Sequence, residues 1–229
     1  MLEARKKISK KQIKEDKLVT TYYQVQNFVL KYQARLFIGA AVVALIVVAV
    51  VLYSNKRAND NQIAAGLLAK VMPLYEQGSY KDAIDGQQQT NIVGLKKIAA
   101  DYGSSENGNT AKIFLGNAYL LLNNNDEAYK AFDDYSGSNP LFKATAMAGK
   151  AGCLEVKKEY EKAADLYKDA SKVSKINPAN PEYLLRAGIN YLNLGKKDEA
   201  KAVFETIKKD YKNSSMFYDV DKYMVQVGS

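Results

Sequence analysis

Residues 113–132 read IFLGNAYLLLNNNDEAYKAF, and residues 185–204 read LRAGINYLNLGKKDEAKAVF. Laid over each other, the two stretches place Gly116 on Gly188, Tyr119 on Tyr191, Ala128 on Ala200 and Phe132 on Phe204, all 72 residues apart. A third copy lies between them. Ala151, Leu154, Ala163 and Tyr167 follow the first set by 35 residues, which leaves 37 to the last. Recurrence at a fixed spacing of this size marks one supersecondary unit repeated and stacked. The residue types describe packing between two helices. A glycine or alanine on the first helix allows close approach, an alanine on the second matches it, and an aromatic ring fills the remaining space. The polar segments 123–128, 157–163 and 195–200 join the helices. Asp126 and Asp198 read as N-caps of the second helices, with acids in the first turn.

The period is close to the tetratricopeptide length of about 34, and Pro140 falls 24 residues after Gly116, where that repeat ends. The fold class is therefore all-α: a tetratricopeptide-repeat α-solenoid with a C-terminal capping helix, preceded by a single N-terminal transmembrane helix. Repeats are expected at 109–143, 144–180 and 181–214. A divergent unit covers 62–108. In it, Gly78 to Ala83 resembles the inter-helix turn, Pro73 is expected to kink a helix, and 85–94, DGQQQTNIVG, reads as an irregular loop. Phe217, Val220, Tyr223, Met224 and Val227 have helical spacing and predict a cap over 215–229, since an array needs a terminal element with a polar outer face.

Residues 36–53, LFIGAAVVALIVVAVVLY, contain no charge, amide or proline. As a helix this is roughly 27 Å long, close to the thickness of a bilayer's hydrocarbon core. Arg35 precedes it, Lys56 and Arg57 follow, and Tyr53 takes an interfacial position. No polar stripe suits it to a soluble core, and no small-x-small site marks it for cleavage. It reads as an uncleaved single-pass anchor. The 35 residues before it carry nine Lys or Arg and the 15 after it carry two. That asymmetry places the N-terminus in the cytoplasm and the C-terminal domain across a bacterial inner membrane, in the periplasm. Residues 1–35 form a basic cytoplasmic tail. Its first 17 residues are a basic run suited to anionic headgroups. Residues 18–35 have helical spacing and read either as a separate amphipathic helix or as an extension of the anchor. Residues 54–61 read as a linker to the domain at 62–229.

The net charge of +8 invites a nucleic-acid reading, but residues 1–57 hold 11 basic and 3 acidic residues and so account for all of it. The remaining chain carries 22 of each and offers no broad footprint for phosphate backbone. Histidine is absent, which removes Ser-His and Cys-His pairs and imidazole metal sites. The single Cys153 forms no intrachain disulfide and reads as a small buried residue. No phosphate-cradling loop appears, and the acids are scattered. The expectation is a non-enzyme with no cofactor and no metal. The 17 tyrosines map mostly to inter-helix packing.

In a repeat array the first helices build the concave face. In this register the candidate protein-binding groove is Ile113, Asn117 and Leu120 from one unit, Ala148, Gly152 and Glu155 from the next, and Leu185, Ile189 and Leu192 from the last. This set is rather apolar, and it suits an extended or helical segment. A carboxylate-gripping groove would want cations where Ile113 and Leu185 stand, so only Asn117 fits that chemistry.

The anchor at 36–53, the unit with Asp85-Gly86 and Ile98-Ala99-Ala100-Asp101-Tyr102, and the repeats at Gly116 and Gly188 together resemble the YfgM-like family of ancillary subunits of the SecYEG translocon. The likeness covers roughly 18–229 in architecture. It implies a non-catalytic protein that associates with Sec translocon subunits and a membrane-anchored periplasmic peptidyl-prolyl isomerase, and that assists translocating chains. The alternative with the same fold and anchor is a scaffold of another envelope assembly, in outer-membrane biogenesis, secretion or division.

Overall fold

A computed structural model describes residues 10–228. Two units are distinguished, Met1–Asn55 and Lys56–Ser229. The described part of the first unit is one helix, and its described side chains are almost all exposed. That helix, α1 (Lys10–Glu76), continues into the second unit. It is long and apolar enough to cross a membrane. Residues 18–35 are therefore part of one continuous helix, whereas residues 1–9 of the basic run lie outside the described residues. Within 10–55, the Tyr32 ring lies 4.9 Å from the ring of Phe28, and its centroid is 5.8 Å from the Arg35 guanidinium. Residues 54–61 are helical too, not a linker. Nothing between Tyr53 and Gly66 breaks the helix: SNKRANDNQIAA contains neither glycine nor proline. Pro73 lies inside α1, three residues before its end.

The second unit is built from helical hairpins. After α1 come α2 (Tyr80–Asp85), the short strands β1 (Gly86–Gln87) and β2 (Ile92–Val93), and α3 (Leu95–Tyr102). Then follow the pairs α4 (Glu106–Leu121) with α5 (Asn125–Asp133), α6 (Pro140–Val156) with α7 (Tyr160–Val173), and α8 (Asn180–Asn193) with α9 (Lys197–Asp210). From α3 to α9 each helix packs on the next in the chain. The stretch expected to be a loop contains an antiparallel hairpin, with Gly86 opposite Val93 and Gln87 opposite Ile92. The cap is two short helices rather than one, α10 (Met216–Asp219) and α11 (Asp221–Val227). Val220 between them is fully buried, and Tyr223 stacks on Phe204 at 5.8 Å.

Four hairpin turns share one geometry. Gly78, Asn123, Lys158 and Gly195 all take positive φ, between 60° and 81°. The next residue donates its N–H back across the turn: Ser79 to Leu74, Asn124 to Tyr119, Glu159 to Leu154 and Lys196 to Tyr191, at 2.8–2.9 Å. This is the helix-ending arrangement in which a left-handed residue lets the chain satisfy the last carbonyls. It also fixes the caps. The residues preceding α5 and α9 are Asn124 and Lys196, so Asp126 and Asp198 are first-turn acids, not N-caps. Asp126 instead binds Lys157 of the neighbouring turn at 2.7 Å.

Five residues after each left-handed residue stands an alanine, Ala83, Ala128, Ala163 or Ala200, each fully buried. Seven residues before each left-handed residue stand Val71, Gly116, Ala151 and Gly188. At Gly116 an added Cβ would sit 2.6 Å from the Phe132 ring, and at Gly188 it would press closer still on Phe204. In these two hairpins a ring packs into a glycine notch.

Candidate protein-binding groove

The repeat offsets put residues 110, 145 and 182 on one row of the first helices, followed by 114, 149 and 186, then 117, 152 and 189. A cavity of about 260 Å³ opens along this face. Asn117 and Leu120 come to it from α4, Thr145, Ala148, Gly149 and Gly152 from α6, Tyr167 from α7, and Glu182, Tyr183 and Arg186 from α8. Helix α6 is closely approached by aromatic side chains here. A Cβ on Gly149 would run into the Phe132 ring, and one on Gly152 would stand 3.3 Å from the Tyr167 hydroxyl.

The polar groups here hold one another. Arg186 Nε donates to Glu182 Oε1 at 3.4 Å. Asn190 Nδ2 donates to Glu155 Oε2 at 3.0 Å and to the Arg186 carbonyl at 2.8 Å. Burial pushes the Tyr167 hydroxyl far above its ordinary range; the Glu155 carboxylate adds to this and Arg186 opposes it. Tyr167 is therefore a neutral hydrogen-bonding group at any physiological pH. On α1, burial raises the Tyr75 hydroxyl while the Asn117 side chain of α4 pulls it back. The arrangement can offer hydrogen bonds and a small apolar recess, with one carboxylate, Glu182, and one cation, Arg186, in its lining.

Of the nine residues expected in the groove, Asn117, Leu120, Ala148 and Gly152 line this cavity. Glu155 is not in its lining and accepts a hydrogen bond from Asn190. Ile113 and Leu185 do not face it. Ile113 is in the core with Phe132 and Cys153, and Leu185 is in the core with Tyr167 and Tyr191. Ile189 and Leu192 are half-buried against that second core. Repeat register alone does not decide the face: Ala148, at the position matching Ile113 and Leu185, lines the cavity, whereas on α8 the residue that does so is Arg186, one step after Leu185. That step replaces Leu185 by Arg186, so the groove is more polar than the sequence reading implied. Gly149 and Arg186 were missed because each lies one residue along its helix from an expected position, and Tyr167 because the expected groove drew only on the first helices. The signal was the aromatic at position 167, whose hydroxyl needs a polar partner when buried.

Cys153 is buried, and burial pushes its thiol up to about 11, so it is no ready nucleophile. No cluster of three or more metal-ligating residues occurs among the described residues. A larger cavity, about 770 Å³, lies between α7 and α9, with Leu184 and Val203 among its walls.

Residues 182–214 match the tetratricopeptide repeat family. The match takes in most of α8, all of α9 and the turn between them. With the helical hairpins before it, this fits a chain containing tetratricopeptide repeats, modules that typically serve protein–protein interaction rather than catalysis. No curated protein matches the chain.

Proposed function

We propose that this is a non-catalytic, membrane-anchored adaptor, held in a bacterial inner membrane by residues 36–53 with its N-terminus cytoplasmic and residues 62–229 in the periplasm as a tetratricopeptide solenoid. In that position it associates with the Sec translocon and a membrane-anchored isomerase and holds translocating chains at the groove. The observation that carries this reading is the combination of a long exposed apolar helix with a hairpin array whose open face collects Asn117, Gly152, Tyr167 and Arg186. Tethering raises the effective concentration of a weak groove near its partners without any new contact. No nucleic acid and no cofactor enter this reading.

The test is affinity purification of the full chain in mild detergent, followed by mass spectrometry, for the wild type and for Asn117→Asp/Arg186→Glu. Translocon subunits are expected to co-purify with both, because they bind through the membrane segment, while client chains fall away from the groove variant. Recovery of another envelope complex in place of the translocon favours the scaffold reading. Protease added to spheroplasts checks the topology: residues 58–229 should be digested, and a protected domain overturns the orientation.

A further inference from the structure

Away from the groove, the α7–α8 connection carries an apolar side chain fully out into solvent. Ile176 is 87% exposed, more than any other large hydrophobic residue among those described. The loop is not slack around it. Asn177 Oδ1 accepts from the Ala179 N–H at 3.0 Å, Asn180 Nδ2 donates to the Ser174 carbonyl at 2.7 Å, and the Asn177 N–H reaches that same carbonyl at 3.2 Å. Asn177 and Asn180 are themselves buried. The hydrogen bonds thus hold the backbone in the form that points Ile176 outward, where it gains nothing from folding.

What surrounds this residue is basic. Ile176 shares a shallow cavity of about 620 Å³ with Lys175, Lys209 and Lys212, the last two from the end of α9 and the segment beyond it. Asp210 is the one carboxylate in its lining. None of these three lysines forms an ion pair among the described residues, whereas many other lysines of the hairpins do. An exposed aliphatic side chain ringed by unpaired lysines has the chemistry of a surface that meets lipid headgroups: the aliphatic group enters the acyl boundary and the cations take the phosphates.

We propose that the 174–181 loop and the 209–214 segment form a membrane-docking edge that rests on an anionic phospholipid surface, with Ile176 inserted and Lys175, Lys209 and Lys212 on the headgroups. Two features select lipid over an acidic protein. The protruding group is a lone aliphatic side chain, too small to fill a protein interface but sufficient for a bilayer boundary. The chain also has its own bilayer-length apolar segment, which keeps a membrane within reach. The proposal rests on the reading of 36–53 as a span.

The chain has no tryptophan, so Ile176→Trp supplies a single selectively excited reporter. The full-length variant is placed in nanodiscs of phosphatidylglycerol and phosphatidylethanolamine, and in phosphatidylcholine alone, with and without brominated acyl chains. In the anionic discs the indole emission should shift to the blue and be quenched by bromine. In phosphatidylcholine, and at high salt, the effect should shrink. Lys175→Gln/Lys209→Gln/Lys212→Gln should weaken partition by roughly fivefold per lysine, with unchanged far-ultraviolet circular dichroism showing that the fold is kept. Unquenched, water-like emission in anionic discs overturns the proposal, and equal quenching in the triple variant removes its electrostatic basis. A shift produced by polyglutamate but not by lipid reassigns the edge to an acidic protein. If the chain does not enter discs at all, the span reading fails first, and flotation on a density gradient reports that separately.

Discussion

The last hairpin and the first solve the same turn and then diverge. Both place a glycine in left-handed conformation, Gly78 and Gly195, and both bury an alanine five residues later. In the last hairpin α9 is 14 residues long and sends Phe204 into the notch at Gly188. In the first hairpin the second helix stops after six residues at Asp85, the chain detours through β1 and β2, and α3 resumes for eight. Turn to turn, the distance from Gly78 to Asn123 is 45 residues, against 35 for the next interval; the excess matches the detour at 85–94. Gly94 permits this, because a Cβ there would strike the Ile84 carbonyl and the backbone beyond it. With the helix split, the position that carries the ring in the other hairpins falls on Gln87, and Val71 occupies the notch position with its own side chain, in one core with Leu95 and Ile98. The turn and the small alanine define the repeat, and the aromatic lock is an interchangeable part.

The largest expected effect is at the lock itself. Gly188→Leu forces a branched side chain into Phe204, with its first carbon already inside contact distance. Overpacking of this kind costs about 1–3 kcal/mol, and more where backbone must move. Urea unfolding should show a lower midpoint. The double variant Gly188→Leu/Phe204→Leu, which trades ring for aliphatic as the first hairpin does, should recover part of the loss. No recovery would mean that the two hairpins do not share one packing logic.

Repeat spacing was legible because packing between paired helices constrains residue size at fixed positions, and Gly116, Ala128, Phe132 and their counterparts report it directly. The divergent unit was half-legible: Gly78 and Ala83 showed the turn, but the detour at 85–94 has no periodic signature and its hairpin rests on backbone pairing. The groove was the least legible. Neighbouring helix positions differ by about 100°, so one residue can exchange core for surface: Leu185 is buried where Arg186 lines the cavity, and Ile113 is buried in the core although Ala148, its match in the next repeat, reaches the cavity. An Asp at Ile113 or Leu185 would bury a charge and unfold the hairpin before it reported on binding.

Val71→Ala comes next in size. It removes two methyl groups from a fully buried site, at about 0.8 kcal/mol each plus the cavity left behind. The same comparison is sharpened by hydrogen exchange, which should show faster opening around 64–71 and 95–98 with little change at 187–207. Uniform acceleration across both regions would mean that the stack opens as one unit, contrary to nearest-neighbour behaviour.

The smallest effect separates the two hairpins by chemistry. The α1 segment of the second unit is fastened to α4 by polar contacts: Asn61 Oδ1 accepts from the Asn107 backbone N–H at 2.8 Å and from its side chain at 3.0 Å, and Arg57 lies 3.4 Å from Glu106. Glu106 also accepts from Ser138 Oγ at 2.6 Å and from the Ser138 N–H at 3.1 Å. Those Ser138 hydrogen bonds, with a smaller contribution from Arg57, hold the Glu106 carboxyl below its ordinary value of 4.5. A carboxyl depressed in the folded state contributes stability above its unfolded value, and that contribution is lost as pH falls through the folded one. Acidification from neutral toward about pH 4 and below should therefore loosen 57–61, 106–110 and 136–138 ahead of 187–207. Because the carboxylate is substantially exposed, the effect is small. Glu106→Gln should lower stability slightly at pH 7 and flatten the local acid response, since an amide oxygen still accepts from Ser138 but has no proton to take up. Raised salt should weaken the Arg57 component and leave the Ser138 component in place. Hydrogen exchange measured against pH, wild type beside variant, decides it: an acid response in 106–110 that survives unchanged in Glu106→Gln assigns the pH dependence to other carboxylates.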